Sequence, residues 1–514
     1  MSEAGTSSIA IEVDGEAKTA PSTACDFAPG IEHAFPSSFA EQDCILEAVG
    51  KTIPDFVRGT YYLNGPAHFG TGDFSWRHWL DGDGMVSALH FGKDSIRLRS
   101  RYVRSRKFEN ERSAGRPLFR TFGTCFAGSQ LNRANNSLES PVNVSIYPFG
   151  GRLLAFGEQG LPWELDSETL ETRGQFTFGG RLNDASPFSA HPKFDFETGE
   201  MFNFGIFFSA QSPRLYFYCL KNGEMRYRKA VPLEHPCSVH DFSISRNYAI
   251  FYLSPYLLDI QGLLKEGRTV MESLRWEPER GSRLLVLDRK TGELIISLPV
   301  GNRHCLHLVN SFEEGERLTV DVVEYDEPLY GYYQPVPNLF SNVSQGGPVR
   351  FVIDLHSHEI IERIALDYLK APDFPAIDPR RAMERYDHLW MLGISATGRN
   401  GRKFFDQLVH TRWSERSVRD IYQCPGMRYL GGEPVFIGEP GTDDGMVICQ
   451  EFDAAARRSS FLVFEAARVA RGPVTRIPLN QQIYLGFHAG FRTAQDNTER
   501  DSQQRLKAET LRHK

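Results

Sequence analysis

Apolar positions in this chain come in short runs rather than helical stripes. Arg152 to Phe156, Tyr248 to Leu253, Arg283 to Asp288 and Val349 to Asp354 are β-branched, leucine-rich or aromatic stretches of strand length, each bounded by polar residues. Several runs lead into a similar turn and a second run: Leu165-Asp-Ser-Glu-Thr-Leu-Glu171, Phe194-Asp-Phe-Glu-Thr-Gly-Glu200, Leu287-Asp-Arg-Lys-Thr-Gly-Glu293 and, more weakly, Ile353-Asp-Leu-His-Ser-His-Glu359. In such turns the Asp carboxylate accepts from backbone amides, and Gly supplies a positive φ. Recurring hairpins with few long helical patterns predict an all-β protein, and a β-propeller with blades of about 40 to 50 residues suits them. The repeat is imperfect, so a multi-sheet β protein fits the same pattern.

One segment breaks the rule. Ser254 to Gly267 sets Leu257, Leu258, Ile260, Leu263 and Leu264 along a short, partly helical stretch. It reads either as a helix facing the core or as an apolar patch that makes peripheral contact with a membrane or lipid droplet. Residues 1–28 are small, polar and acidic, and 493–514 are rich in charge and Gln, so both ends read as disordered tails. No Pro/Ser-rich linker interrupts 29–492, which predicts one domain.

Composition narrows the functions. A net charge of −7, with 24% charged residues, gives no basic footprint for nucleic acid. The 37 Phe, 19 Tyr and 6 Trp exceed what a core of this size needs and leave room for an apolar ligand tunnel beside ordinary strand packing. Eight cysteines occur without a CxxC pair, which speaks against a zinc ribbon or a thioredoxin motif and for reduced thiols. The N-terminus has no basic patch followed by an apolar core, so a cytoplasmic protein is expected.

Four of the fifteen histidines abut strand-like apolar text: His191 in Ser189-Ala-His-Pro-Lys-Phe-Asp195, His240 in Ser238-Val-His-Asp-Phe-Ser-Ile244, His307 in His307-Leu-Val-Asn-Ser-Phe-Glu-Glu314, and His488 in Leu485-Gly-Phe-His-Ala-Gly490. By subtraction they lie 49, 67 and 181 positions apart, too far for a helical or finger-type metal site. A propeller removes the difficulty, because the inner strands of successive blades surround one axis and bring distant residues together. Imidazole suits iron, zinc, copper and nickel alike, so the donors alone leave the metal open. His304 is a rival ligand. The glycine-rich run His78-Trp-Leu-Asp-Gly-Asp-Gly-Met85 could pass for a metal site, but Gly82 and Gly84 argue for a tight turn in which Asp81 and Asp83 bond backbone.

These four contexts resemble the carotenoid cleavage oxygenase family. So do Arg58-Gly-Thr-Tyr-Tyr-Leu-Asn-Gly-Pro66, the run from His78 to Met85, and Arg101-Tyr-Val-Arg104, in the order the family has them, and the resemblance covers roughly 45–492. It implies a seven-bladed propeller with a helical and loop cap over its top face. It also implies one Fe(II) on His191, His240, His307 and His488, braced by Glu158, Asp373 and Glu433. Asp373 stands where the family has glutamate, so either its strand sits closer or a water bridges. The implied reaction is O₂-dependent cleavage of a C=C bond in a carotenoid or apocarotenoid polyene to two carbonyl products, with no organic cofactor. Trp163 and Phe487, sequence neighbours of the proposed iron-site residues, are candidate tunnel walls. Family members that cleave stilbenes or phenylpropenes give the alternative, retinyl-ester isomerisation a further one, and a propeller that only binds a partner is the non-enzymatic reading.

Overall fold

The aspartate-led turns close hairpins as expected. Asp166, Asp195, Asp288 and Asp354 each accept two turn amides on one carboxylate oxygen, at 2.7–3.1 Å. The position that follows is left-handed, with Gly199 at φ 68° and Gly292 at φ 69°. Leu170 and His358 hold the same conformation without glycine, at φ 60° and 57°.

A computed structural model describes residues 25–329 and 335–494. Among them, seven sheets of four or five antiparallel strands form a seven-bladed β-propeller. From the axis outward, blade one begins with Ser145–Phe149, blade two with Lys193–Asp195, blade three with Phe242–Ile244 and blade four with His304–Glu314. Blade five begins with Asp373–Ala376 and blade six with Arg428–Gly438. Blade seven closes the ring: its inner strand, Ala489–Thr493, pairs with Gly59–His68 from the far end of the chain, with Ala489 opposite Leu63 and Thr493 opposite Gly59. Closure therefore rests on ladder hydrogen bonds between segments about as distant in sequence as the fold permits.

Inner strands all start at one end of the axis, and the long connections leave from that same end. Leu253, His68, Tyr102 and Tyr325 finish strands whose partners start there, and each leads into an insertion. These insertions carry the helices: Arg106–Ala114, capped by Ser105, and the pair Ile260–Leu264 and Val270–Ser273 within the hairpin Tyr256–Leu258/Leu274–Trp276. Together they make the cap. The apolar face of 254–267 is turned inward: Leu257, Leu258 and Leu263 are buried, and Leu258 and Leu263 pack with Val270, Phe122 and Phe208. The core-facing reading of this segment therefore holds for Leu257, Leu258 and Leu263, whereas Ile260 and Leu264 stay partly exposed. Among the described residues, no helix is long and apolar enough to cross a membrane.

Two other expectations change. Cys25–Asp26, assigned to the tail, pair in parallel with Gly401–Arg402; residues 1–24 and 495–514 lie outside the described residues. Gly82 and Gly84 do not share one tight turn: Gly82 follows the short helix Trp79–Asp81, and Gly84 lies in the strand Asp83–Phe91. A Cβ on Gly84 would lie 2.0 Å from the Val142 carbonyl oxygen, and one on Gly82 2.9 Å from Pro66 Cβ, so close approach is the reason for both. Asp81 does bond backbone, at His78 and Gly123, but Asp83 is held by Lys107 and His68. Gly84→Ala is expected to destabilise the fold by about 1–3 kcal/mol through overpacking. An unchanged thermal midpoint would show that the strand can shift freely.

Candidate metal centre

Each proposed ligand sits at the start of an inner strand. His191 and His240 precede the inner strands of blades two and three by two residues, His307 lies in that of blade four, and His488 comes immediately before the closing strand. Their ring centroids are 4.4 Å (His191–His240), 4.5 Å (His191–His488), 4.9 Å (His240–His307) and 5.0 Å (His307–His488) apart. One nitrogen from each lies within 4.8 Å of all the others, and His304 does not join the group. The sequence pattern had no means of demonstrating this convergence.

The other three blades supply the carboxylates. Glu158 of blade one bonds His240 Nδ1 at 2.8 Å, Asp373 of blade five bonds His307 Nδ1 at 2.5 Å, and Glu433 of blade six bonds His488 Nδ1 at 3.3 Å. Nδ1 then carries the proton and Nε2 presents its lone pair inward. The shorter Asp373 still reaches its histidine directly, without a bridging water.

Irregular backbone makes these placements. The ladder shifts register around His307, at Asp373 and between Gly431 and Val435, which flank Glu433. Bulges re-aim side chains toward the axis. Gly432, at φ 74°, and Phe374, at φ 52°, are left-handed beside the two carboxylates. For Phe374 that conformation costs about 1–3 kcal/mol, offset in part by its amide bonding the Asp373 carboxylate at 2.8 Å.

Electrostatics favour the neutral imidazole at His191 and His488 but not at His240. Burial, with the three neighbouring histidines, drives His191 well below its ordinary pKa. Burial also lowers His488, against the opposing pull of Glu433. At His240, burial is outweighed by Glu158, and the pKa rises. For Asp373, burial would raise the carboxyl, but His307 and the Phe374 amide hold it below its usual range.

A metal fits this arrangement. His307 Nε2 is buried with no hydrogen-bond partner, and the Nε2 atoms of His191 and His240 are only 2.9 Å apart. Two imidazoles bound side by side to one divalent ion at about 2.1 Å would bring their nitrogens about 3 Å apart. Four imidazole nitrogens suit a divalent first-row metal, iron among them.

The surroundings differ on the two sides. On the cap side lies an aromatic layer: Phe374 is 5.2 Å from His488 between ring centroids, Phe487 stacks on Phe374 at 6.4 Å, and Trp79 meets Phe487 at 4.4 Å. Phe487 is thus close to the centre. Trp163 is not, for it packs in the interface between blades one and seven with Leu153, Leu165 and Val86. The turn after Glu158 carries it two strands away from the axis. On the other side, a cavity of about 1290 Å³ follows the inner strands away from His191, His307 and His488. Near its top, Lys193 pairs with Asp241 at 2.8 Å, and Asp241 also accepts the Leu308 amide, tying blade three to the strand of His307. Sequence reading missed this pair, although both residues lie within two positions of a ligand.

The model of the retinal pigment epithelial membrane protein family matches residues 35–493. The chain belongs to this family. Family relatives include the apocarotenoid-15,15'-oxygenase of Synechocystis, 27% identical over 88% of this chain and 94% of its own length. The isoeugenol monooxygenase of Pseudomonas putida is 29% identical over 88% and 95%. The lignostilbene-alpha,beta-dioxygenase isozyme III of Sphingomonas paucimobilis is 24% identical over 87% and 94%. Cobalt-substituted Synechocystis apocarotenoid oxygenase superposes with a TM-score of 0.81 at 25% identity, over 90% of this chain and 98% of that one. The family thus comprises oxygenases of the carotenoid, apocarotenoid and stilbene type.

His240→Ala is expected to lose bound metal and activity together; full occupancy by elemental analysis would contradict its role as a ligand. Glu433→Gln should reduce metal affinity or activity by about 10- to 100-fold, whereas unchanged kinetics would leave Glu433 with no more than its backbone contact to Ala489.

Proposed function

We propose that the chain is an Fe(II)-dependent dioxygenase that cleaves one C=C bond of an apocarotenoid-like polyene to two carbonyl products. The observation that carries this is the convergence of four histidines, three of them braced by carboxylates, beneath a layer of aromatic rings. His191, His240, His307 and His488 would hold the iron, which when bound supplies the capacity to activate dioxygen. Both oxygen atoms of O₂ are consumed, one in each carbonyl, so no further reductant is required.

The protein's own part is positioning. Phe374, Phe487 and Trp79 offer flat apolar surface for a conjugated chain and exclude water from it. An extended polyene presents many similar bonds, and how deeply it seats selects the one beside the metal. The axial cavity, with Lys193 and Asp241 near its top, gives O₂ and water a separate path. Glu158, Asp373 and Glu433 keep three imidazoles oriented with their lone pairs inward throughout the cycle.

Cleavage of a stilbene or phenylpropene is the second reading, and the isoeugenol and lignostilbene relatives favour it. Aerobic incubation of the iron-loaded protein with an apocarotenal, 4-hydroxystilbene and isoeugenol, followed by product masses, decides between them. Paired carbonyl products from the apocarotenal, lost on iron removal, are expected. Products from the phenolic compounds alone would transfer the assignment to the second reading, and no turnover of any of them would reject both.

A further inference from the structure

Buried polar nitrogens need partners, and His304 lacks one. Its side chain is buried, and Nδ1 has no hydrogen-bond partner. In native folds such an atom calls for an explanation, and leaving it unpaired disfavours burial.

Its setting supplies the explanation. His304 lies three residues before His307, at the cap end of the same strand. Its ring is 5.7 Å from Tyr256, 6.1 Å from Trp276 and 6.2 Å from Tyr325, centroid to centroid. Tyr256 and Trp276 face each other across the cap hairpin. Tyr325 donates to the carbonyl of Pro372, the residue before Asp373, at 2.6 Å. Three aromatic rings, two from the cap and one from the propeller, thus surround the imidazole beside the strand that carries a ligand. His240, His307 and Asp373 are all near enough to influence the His304 ring. Burial lowers its pKa to about 3, so at neutral pH the imidazole is uncharged and has one N–H donor and one acceptor.

We propose that His304 is a specificity-determining residue that hydrogen-bonds an oxygen at one end of the substrate, a hydroxyl or a carbonyl, which would seat beside the rings of Tyr256, Trp276 and Tyr325. Rings with one polar group among them make a site that selects an oxygenated end over a hydrocarbon one. The oxygen belongs either to an apocarotenoid terminus or to a phenol. This inference deepens the proposed oxygenase reading and rests on it for the identity of the ligand.

The test compares the iron-loaded protein with His304→Phe and His304→Gln, using two probe pairs: 4-hydroxystilbene against stilbene, and an apocarotenal against the corresponding hydrocarbon polyene. Binding is read by quenching of tryptophan fluorescence, turnover by product formation, and metal content by elemental analysis. In the unaltered protein, one pair should show about tenfold tighter binding of the oxygenated member, the worth of one hydrogen bond. Phe should erase that ratio with iron retained, and Gln should restore part of it. The pair that discriminates names the source of the oxygen. Equal ratios in all three proteins, equal weakening of both members of each pair, or loss of iron in His304→Phe would overturn the proposal and leave His304 a packing residue. Intact discrimination without turnover by the unaltered protein would instead count against the oxygenase reading.

Discussion

Ring closure is the constraint on which the site depends. His488 adjoins the strand that zips blade seven shut, so the four-histidine cluster is complete only when Ala489–Thr493 has paired with Gly59–His68. Every blade then contributes one group: imidazoles from two, three, four and seven, and carboxylates from one, five and six. No short segment could assemble this set. A propeller does so because its inner strands share an origin at one end of the axis, and bulges at the same level turn polar side chains inward.

Without an ion the cluster is internally opposed. Each carboxylate holds a proton on Nδ1, which leaves inward lone pairs facing one another in a buried space, and at His191 and His488 burial resists relieving them by protonation. A divalent cation satisfies all four at once. The left-handed Phe374, beside Asp373, belongs to the same logic: local backbone strain is tolerated where it aims a carboxylate and a ring at one centre.

Much of this was legible from the residues. The aspartate turns are local chemistry, and all four closed hairpins. The histidines stood out because each abuts strand-like text, although only family resemblance turned four contexts into a set. The three carboxylates were legible through that resemblance alone, for nothing in the neighbourhood of Glu158 or Glu433 marks it as inward-facing. Ser254 to Gly267 left two readings open, and the core-facing one holds because Phe122 and Phe208 cover its leucines. Failures came where position in the fold decides. Trp163 is five positions from Glu158, yet an intervening turn carries it into the blade interface, so proximity in sequence misled. Gly84 was placed in a tight turn, whereas it lies in a strand in near contact with Val142.

The spacing of the ligands also sets a timetable for biosynthesis. A nascent chain has made His191, His240 and His307 well before His488, which follows 181 positions later. At 5–20 residues per second that interval lasts roughly 10–40 s. Throughout it the ribosome-bound protein holds three of the four imidazoles and an open ring, so the four-histidine set is completed only once the closing strand has been made.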